Sequence, residues 1–162
     1  MKKMFTVLTI TYALFGCASM HAAGPQQSTT DLSAHAMFVK SQDVEWKKIF
    51  PEFGDGSPEI VILRVDPKTQ ATQLMIRVPK NFHVPKHWHT ANETHTILSG
   101  TFIMEGEEKQ AELGPNSFNY IPSKMIHEAW TKPAEGTLLF ITVDGAWDIN
   151  WVDGPPQPPQ TH

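Results

Sequence analysis

The segment His87-Trp88-His89-Thr90-Ala91-Asn92-Glu93 places two imidazoles at i and i+2 and a carboxylate four residues after the second. In an extended backbone, side chains alternate between faces, so His87 and His89 point to the same side. A short bend then brings Glu93 back toward that point. Two imidazoles and a carboxylate on one face suit zinc, or non-haem iron with open positions. A fourth candidate lies downstream. In Pro122-Ser123-Lys124-Met125-Ile126-His127 a proline-bounded turn delivers His127 at the start of an expected strand. Any one of these side chains alone reads as a solvated group; the combination across two segments points to a bound metal.

The elements that must position these ligands read as almost entirely β. Ile60 to Val65 is a β-branched run closed by the turn Asp66-Pro67-Lys68, and Ala71 to Val78 is another, stopped by Pro79. Val84 to His89, Thr94 to Leu98 and Thr101 to Glu105 follow, the last two separated by Ser99-Gly100. Gly106 and Gly114-Pro115-Asn116 mark further turns. Phe118 to Ile121, Ile126 to Thr131, Thr137 to Val143 and Ile149 to Val152 complete the set. Short strands with turn signals every eight to twelve residues predict a sandwich or barrel. No internal repeat is visible. Asp31 to Lys40 has mild helical character, with Leu32, Ala36 and Met37 spaced for one face.

Together the residues read His87-x-His89-x3-Glu93-x6-Gly100, then Gly114, Pro122 and His127. This resembles the two sequence motifs of the cupin superfamily, over roughly residues 44–152. Asn81 stands where the first motif usually opens with glycine, and asparagine tolerates the left-handed backbone that glycine supplies. Lys124 replaces a turn glycine of the second motif, and Thr131 stands where many cupins have asparagine. The resemblance implies an all-β fold, a cupin jelly-roll β-barrel in a single domain. It also implies one divalent metal inside the barrel, held by His87, His89, Glu93 and His127. Three histidines and one glutamate leave up to two positions open on a six-coordinate ion, for water, substrate or dioxygen.

Alternation extends the site. If Glu93 faces the interior, His95 and Ile97 share its face. His95 is then the candidate catalytic acid/base group, a hydrogen-bond partner of a ligand, or an alternative ligand. Ala129 and Thr131 share the face of His127, and both are small enough to leave room for a substrate. Trp130 and Trp88 point the other way. Phe102, Met104, Gln73, Met75 and Tyr120 are candidates for the cavity wall, each weighed against an ordinary core role. Arg77 is a candidate partner for an anionic substrate, against the commoner reading of a solvated strand arginine. His83 reads as a loop residue.

The chain has 162 residues, 40% hydrophobic and 19% charged, which fits one soluble globular domain. Its formal net charge is −4, with no basic stripe, so nucleic acid is not an expected partner. There is no Gly-rich phosphate cradle and no Gly-x-Ser-x-Gly elbow, so neither nucleotide chemistry nor serine hydrolysis is indicated. Met1-Lys2-Lys3 followed by the apolar stretch Phe5 to Gly16 reads as a signal peptide, residues 1–23. Without it the chain keeps 11 of 13 basic and all 17 acidic residues, a net charge of −6. The single cysteine, Cys17, follows Leu14-Phe15-Gly16, which resembles a bacterial lipoprotein signal apart from the bulky Phe15. Lipid-anchored and ordinarily secreted readings therefore stand side by side, and neither provides a disulfide framework.

The expected organisation is a signal peptide (1–23), a flexible segment (24–43), the barrel (44–152) and a proline-rich disordered tail (153–162). The expected function is that of an exported metal-binding cupin in the bacterial periplasm or anchored to a membrane by its N-terminus. A metal-dependent oxidoreductase of dioxygenase type acting on a small organic substrate is the leading reading. A cupin isomerase, decarboxylase or lyase is one alternative. The other is a zinc-binding sensor or ligand-binding module without turnover, since His87-Trp88-His89 through Gly100-Thr101 is similar to the cupin-like domain of certain anti-sigma factors. The metal (iron, manganese, zinc, nickel or copper) is left open by the ligand set. A homodimer paired through sheet edges is expected.

Overall fold

A computed structural model describes residues 36–158. The signal-peptide and lipid-anchor readings, and the start of the flexible segment, lie outside the described residues. Among the described residues eleven strands form: β1 (Lys47–Lys48), β2 (Glu59–Val65), β3 (Thr72–Val78), β4 (His83–Trp88), β5 (Glu93–Gly100), β6 (Phe102–Gly106), β7 (Lys109–Leu113), β8 (Phe118–Ile121), β9 (His127–Thr131), β10 (Thr137–Val143) and β11 (Asn150–Trp151). They make a six-stranded sheet in the order β1-β2-β3-β10-β5-β8 and a five-stranded sheet in the order β11-β4-β9-β6-β7. Every strand pairing is antiparallel. The two sheets enclose one core, and the expected jelly roll is the observed architecture.

Period-two alternation builds that core. β10 reads buried and half-buried in strict turn, with Leu139, Ile141 and Val143 inward. It lies between β3, which turns Leu74, Ile76 and Val78 inward, and β5, which turns Glu93, His95 and Ile97 inward. Leu74 and Ile97 are completely buried, each stabilising the fold by about 1.5–3 kcal/mol. Gly100, the glycine that closes the first motif, has φ +72°, and a Cβ there would lie 1.9 Å from the Gly136 carbonyl oxygen. Only glycine fits that crossing.

Two expectations about local structure are corrected. Residues 36–40 of the Asp31 to Lys40 stretch are not helical, and a 3-10 turn follows them at Ser41–Asp43. One amphipathic turn without a cap does not nucleate a helix. His83 is not in a loop. It opens β4, stacks on Trp130 at a centroid distance of 5.0 Å and donates to Glu128. β7 was not anticipated; its Lys-Gln-Ala-Glu-Leu sequence lacks β-branched residues and is held extended by five paired positions along β6.

Candidate metal centre

β4 carries His87 and ends one residue before His89, and a bulge in it aims the first of these. The register steps from Val84↔Ala129 to His87↔His127, so three residues of β4 span two of β9. The extra residue puts Val84 and His87, at odd spacing, on the same inner face. Pro85 sits in the bulge, where its missing N–H leaves no ladder bond unmade. His87, His89, Glu93, His95 and His127 are all buried. One ring nitrogen from each of His87, His89 and His127 lies within 4.8 Å of the corresponding nitrogen of the other two. The His87 and His127 rings are 4.1 Å apart between centroids.

Backbone carbonyls fix the tautomers. His87 Nδ1 donates to Pro85 O at 2.7 Å, His127 Nδ1 donates to Met125 O at 3.0 Å, and His89 Nδ1 donates to the Asp148 carbonyl. Nε2 is left as the free ligand atom of His87 and His127, while that of His89 meets the Glu93 carboxylate. Nε2 of His127 is buried with no hydrogen-bond partner, which is costly unless a cation or donor meets it. A divalent metal fits this donor set: three imidazoles with Nδ1 committed to backbone carbonyls each bring one ring nitrogen to a common point.

Glu93 lies beside the triad, its carboxylate surrounded by donors. Its Oε2 is 2.9 Å from His89 Nε2 and 3.0 Å from His95 Nε2, and its Oε1 accepts from Trp147 Nε1 at 3.1 Å. Trp147, in the β10–β11 connection, was not identified from the sequence. No local spacing relates it to Glu93, 54 residues away. Asp148 was missed for the same reason. Its carboxylate accepts from the backbone and hydroxyl of Thr90, which fixes the bend between His89 and Glu93. Asp144 and Ser123 grip Asn92 in the same bend.

Burial pushes His87 down to about 3, helped by the charge of His127 and opposed by the Pro85 carbonyl. Burial likewise lowers His127 to about 4. Burial also opposes a charge on His89, yet the hydrogen bond and charge of Glu93, with the Asp148 carbonyl, raise it overall. For Glu93, burial works against ionisation, but the charge of His95 and hydrogen bonds from His89 and His95 hold it well below the usual carboxylate range. The metal-free site therefore favours a carboxylate–imidazolium pair beside two neutral imidazoles. A metal taking the proton's place on His89 would meet the same carboxylate.

A cavity of about 70 Å³ opens from this cluster. Ala129, placed on that face by alternation, lines it, as do Phe102 and Met104 of the five wall candidates. Gln73, Met75 and Tyr120 do not. β3 turns Leu74 and Ile76 inward instead, and Tyr120 is exposed. Thr131 is buried but turned to the backbone, accepting from Phe82 N and donating to Pro79 O. Arg77 lies on the outer face, paired with Glu59 and stacked over Trp46. Ile49, Phe50, Trp147, Ile149 and Trp151 complete the wall from connections and short strands.

Two packed antiparallel sheets around a buried histidine cluster define a cupin. Residues 34–145 match the family described as the ChrR cupin-like domain, and the chain belongs to that family. A search of curated proteins found no relative of this chain. Among solved structures it resembles an RmlC-like cupin from Ralstonia eutropha, at 19% identity and TM-score 0.58, covering 68% of this chain and 69% of that one. It also resembles the polyketide cyclase RemF from Streptomyces resistomycificus, at 19% identity and TM-score 0.61 over 73% and 86% of the two chains. A third is a protein from Methylibium petroleiphilum provisionally named an acetylacetone dioxygenase, at 16% identity and TM-score 0.59 over 76% and 86%. These likenesses concern the fold, which serves different chemistries in different proteins.

Proposed function

We propose that this protein is a metal-dependent cupin oxidoreductase of dioxygenase type, acting on a small organic substrate. The observation that carries the reading is the convergence of His87, His89 and His127, with Nδ1 of each tied to a backbone carbonyl, at the mouth of an apolar cavity. His87, His89 and His127 would hold one divalent ion, with Glu93 as the fourth ligand. The ion supplies Lewis acidity and open positions for substrate and dioxygen. The chain supplies the rest. Backbone carbonyls orient the imidazoles, apolar walls exclude water, and His95 donates from Nε2 to Glu93, positioned to hold or pass a proton. The likeness to the provisionally named acetylacetone dioxygenase supports the same chemistry at the level of fold. Export under a signal peptide and pairing into a homodimer belong to the same proposal.

The test is oxygen uptake by protein purified anaerobically and loaded in turn with iron, manganese, nickel, copper or zinc, offered diketones and diphenols. Uptake with a redox-active ion, with both oxygen atoms recovered in product, is expected. Stoichiometric zinc with no turnover across the panel would overturn the enzyme reading. That outcome would favour a second reading, a zinc-binding sensor module, which membership of the ChrR cupin-like family favours.

A further inference from the structure

β8 sets its side chains against their own polarity. In Phe118-Asn119-Tyr120-Ile121 the two aromatic rings face outward, 64% and 55% exposed, while Asn119 and Ile121 turn toward the core. A slip of one residue would bury both rings. Pairing with β5 forbids the slip, setting Ile121 opposite Glu93 and Asn119 opposite His95. A polar residue held inward at the expense of two rings is a local conflict of the kind that marks functional positions. Directly opposed residues of an antiparallel pair share a face, with Cβ atoms about 5 Å apart. Two polar atoms are left over at this pair. His95 Nε2 meets Glu93 Oε2 at 3.0 Å, and Asn119 Nδ2 donates to Met104 Sδ at 3.0 Å. Among the described residues nothing meets the other end of either side chain: His95 Nδ1 and Asn119 Oδ1 are both buried without a hydrogen-bond partner. A thioether sulfur only accepts, so the Met104 contact fixes which way the amide faces. Phe102 closes the side of the His95 ring with hydrocarbon, at a centroid distance of 6.0 Å.

We infer that Asn119 is the positioning residue of His95, acting through one buried water that bridges His95 Nδ1 and Asn119 Oδ1. The inference rests on the functional reading above, in which His95 holds or passes a proton, and supplies what that role needs. A ring held at Nε2 alone is free to tilt; a second bond at Nδ1 fixes its plane. Asn119 Oδ1 only accepts, so acting directly it would suit His95 only while Nδ1 carries a proton. Water both donates and accepts. It accepts from Nδ1–H when the ring carries two protons and donates to Nδ1 when it carries one, and in either case it donates to Asn119 Oδ1. The bridge therefore keeps the ring in one place before and after a proton passes. Asparagine also brings no second carboxylate to a pole that already holds Glu93, and Met104 tethers its amide so that Oδ1 stays turned to the water.

The test reads the histidine rings by nitrogen–proton NMR in chelator-treated wild-type protein, Asn119→Leu and Asn119→Asp. In the wild type a long-lived water signal is expected at the His95 ring proton beside Nδ1, with slow solvent exchange of Nε2–H. In Asn119→Leu the water signal should vanish and Nε2–H should exchange roughly tenfold faster. Its melting temperature should not fall, because hydrocarbon of similar volume replaces a buried amide with an unmet oxygen. Asn119→Asp keeps an acceptor and should keep the water. An asparagine with a merely structural role would give the reverse, a lower melting temperature with the His95 signals unchanged. No water signal in the wild type, a direct bond from Asn119 to His95 Nδ1, or unchanged His95 signals in folded Asn119→Leu would overturn the inference. The wild-type spectrum needs no variant, so a misfolded Asn119→Leu does not remove the test. Neither metal nor dioxygen enters the experiment, so its failure and that of the oxygen-uptake test are told apart.

Discussion

Two acceptors flank the imidazole of His89, the Asp148 carbonyl at Nδ1 and the Glu93 carboxylate at Nε2. Without a metal, both are satisfied only by the doubly protonated ring, whereas His87 and His127 are held neutral by burial. The signs of the pH dependence follow. His87 and His127 have depressed folded values, about 3 and about 4, against an ordinary 6.5, so their stabilising contribution is full above 6.5 and is lost as pH falls below it. Glu93, also depressed, adds a loss as pH falls below its ordinary 4.5. His89 is raised, so its contribution is full below 6.5 and is lost as pH rises through its folded value. The metal-free protein should therefore melt at its highest temperature near neutrality and at progressively lower temperatures as pH falls from 6.5 toward 4. Thermal melts across that range check this; a melting temperature that rises on acidification would contradict it.

At the scale of elements, three connections carry the site: the β4 bulge, the β4–β5 bend and the turn before β9. Lys124 in that turn has φ +64°, the left-handed conformation usually left to glycine, while its N–H donates to His89 O at 2.8 Å. Lys124→Gly should stabilise the protein by about 1 kcal/mol, the left-handed cost being partly offset by glycine's freer unfolded chain. Urea melts measure this, and a loss of stability would refute the strain. Asn81, at the other departure from the motif, also takes positive φ, at 55°. Asp148→Ala should weaken metal affinity roughly tenfold by releasing Thr90 and the bend behind His89; competition with a metallochromic chelator reads the change. These elements divide what the sequence could reveal from what it could not. The β-branched runs that became β2, β3 and β10 were legible, as was the inward face of β5 from Glu93 to Ile97. β7 was not, because pairing with β6 overrode its propensities. Gln73 and Met75 were placed one step out of register with the inner face of β3. Trp147 and Asp148 enter the site only through folding, from a segment with no periodicity of its own.

For the whole molecule, the sheets are a scaffold that buries five titratable side chains at one pole of an apolar core. Such burial is costly for the empty protein, so a bound cation should appear as stability of the entire fold. At a free metal concentration 100 times its Kd, the gain is about 2.7 kcal/mol, which for a domain of this size is a rise in melting temperature of roughly 10 °C. Calorimetry with and without chelator tests it; coincident melts would contradict the coupling. The four ligand candidates were legible because their spacing survives in the sequence, whereas the shape of the cavity depends on residues from both sheets and four connections. The central claim is that His87, His89 and His127, with Glu93, hold one metal ion. The most direct measurement is metal content per chain of protein purified without added chelator, set beside that of His127→Ala. The account predicts one divalent ion per chain in the wild-type protein and a loss of at least about 100-fold in affinity in the variant. A folded wild-type protein that carries no ion and takes none up, or a variant that keeps its metal, would contradict it.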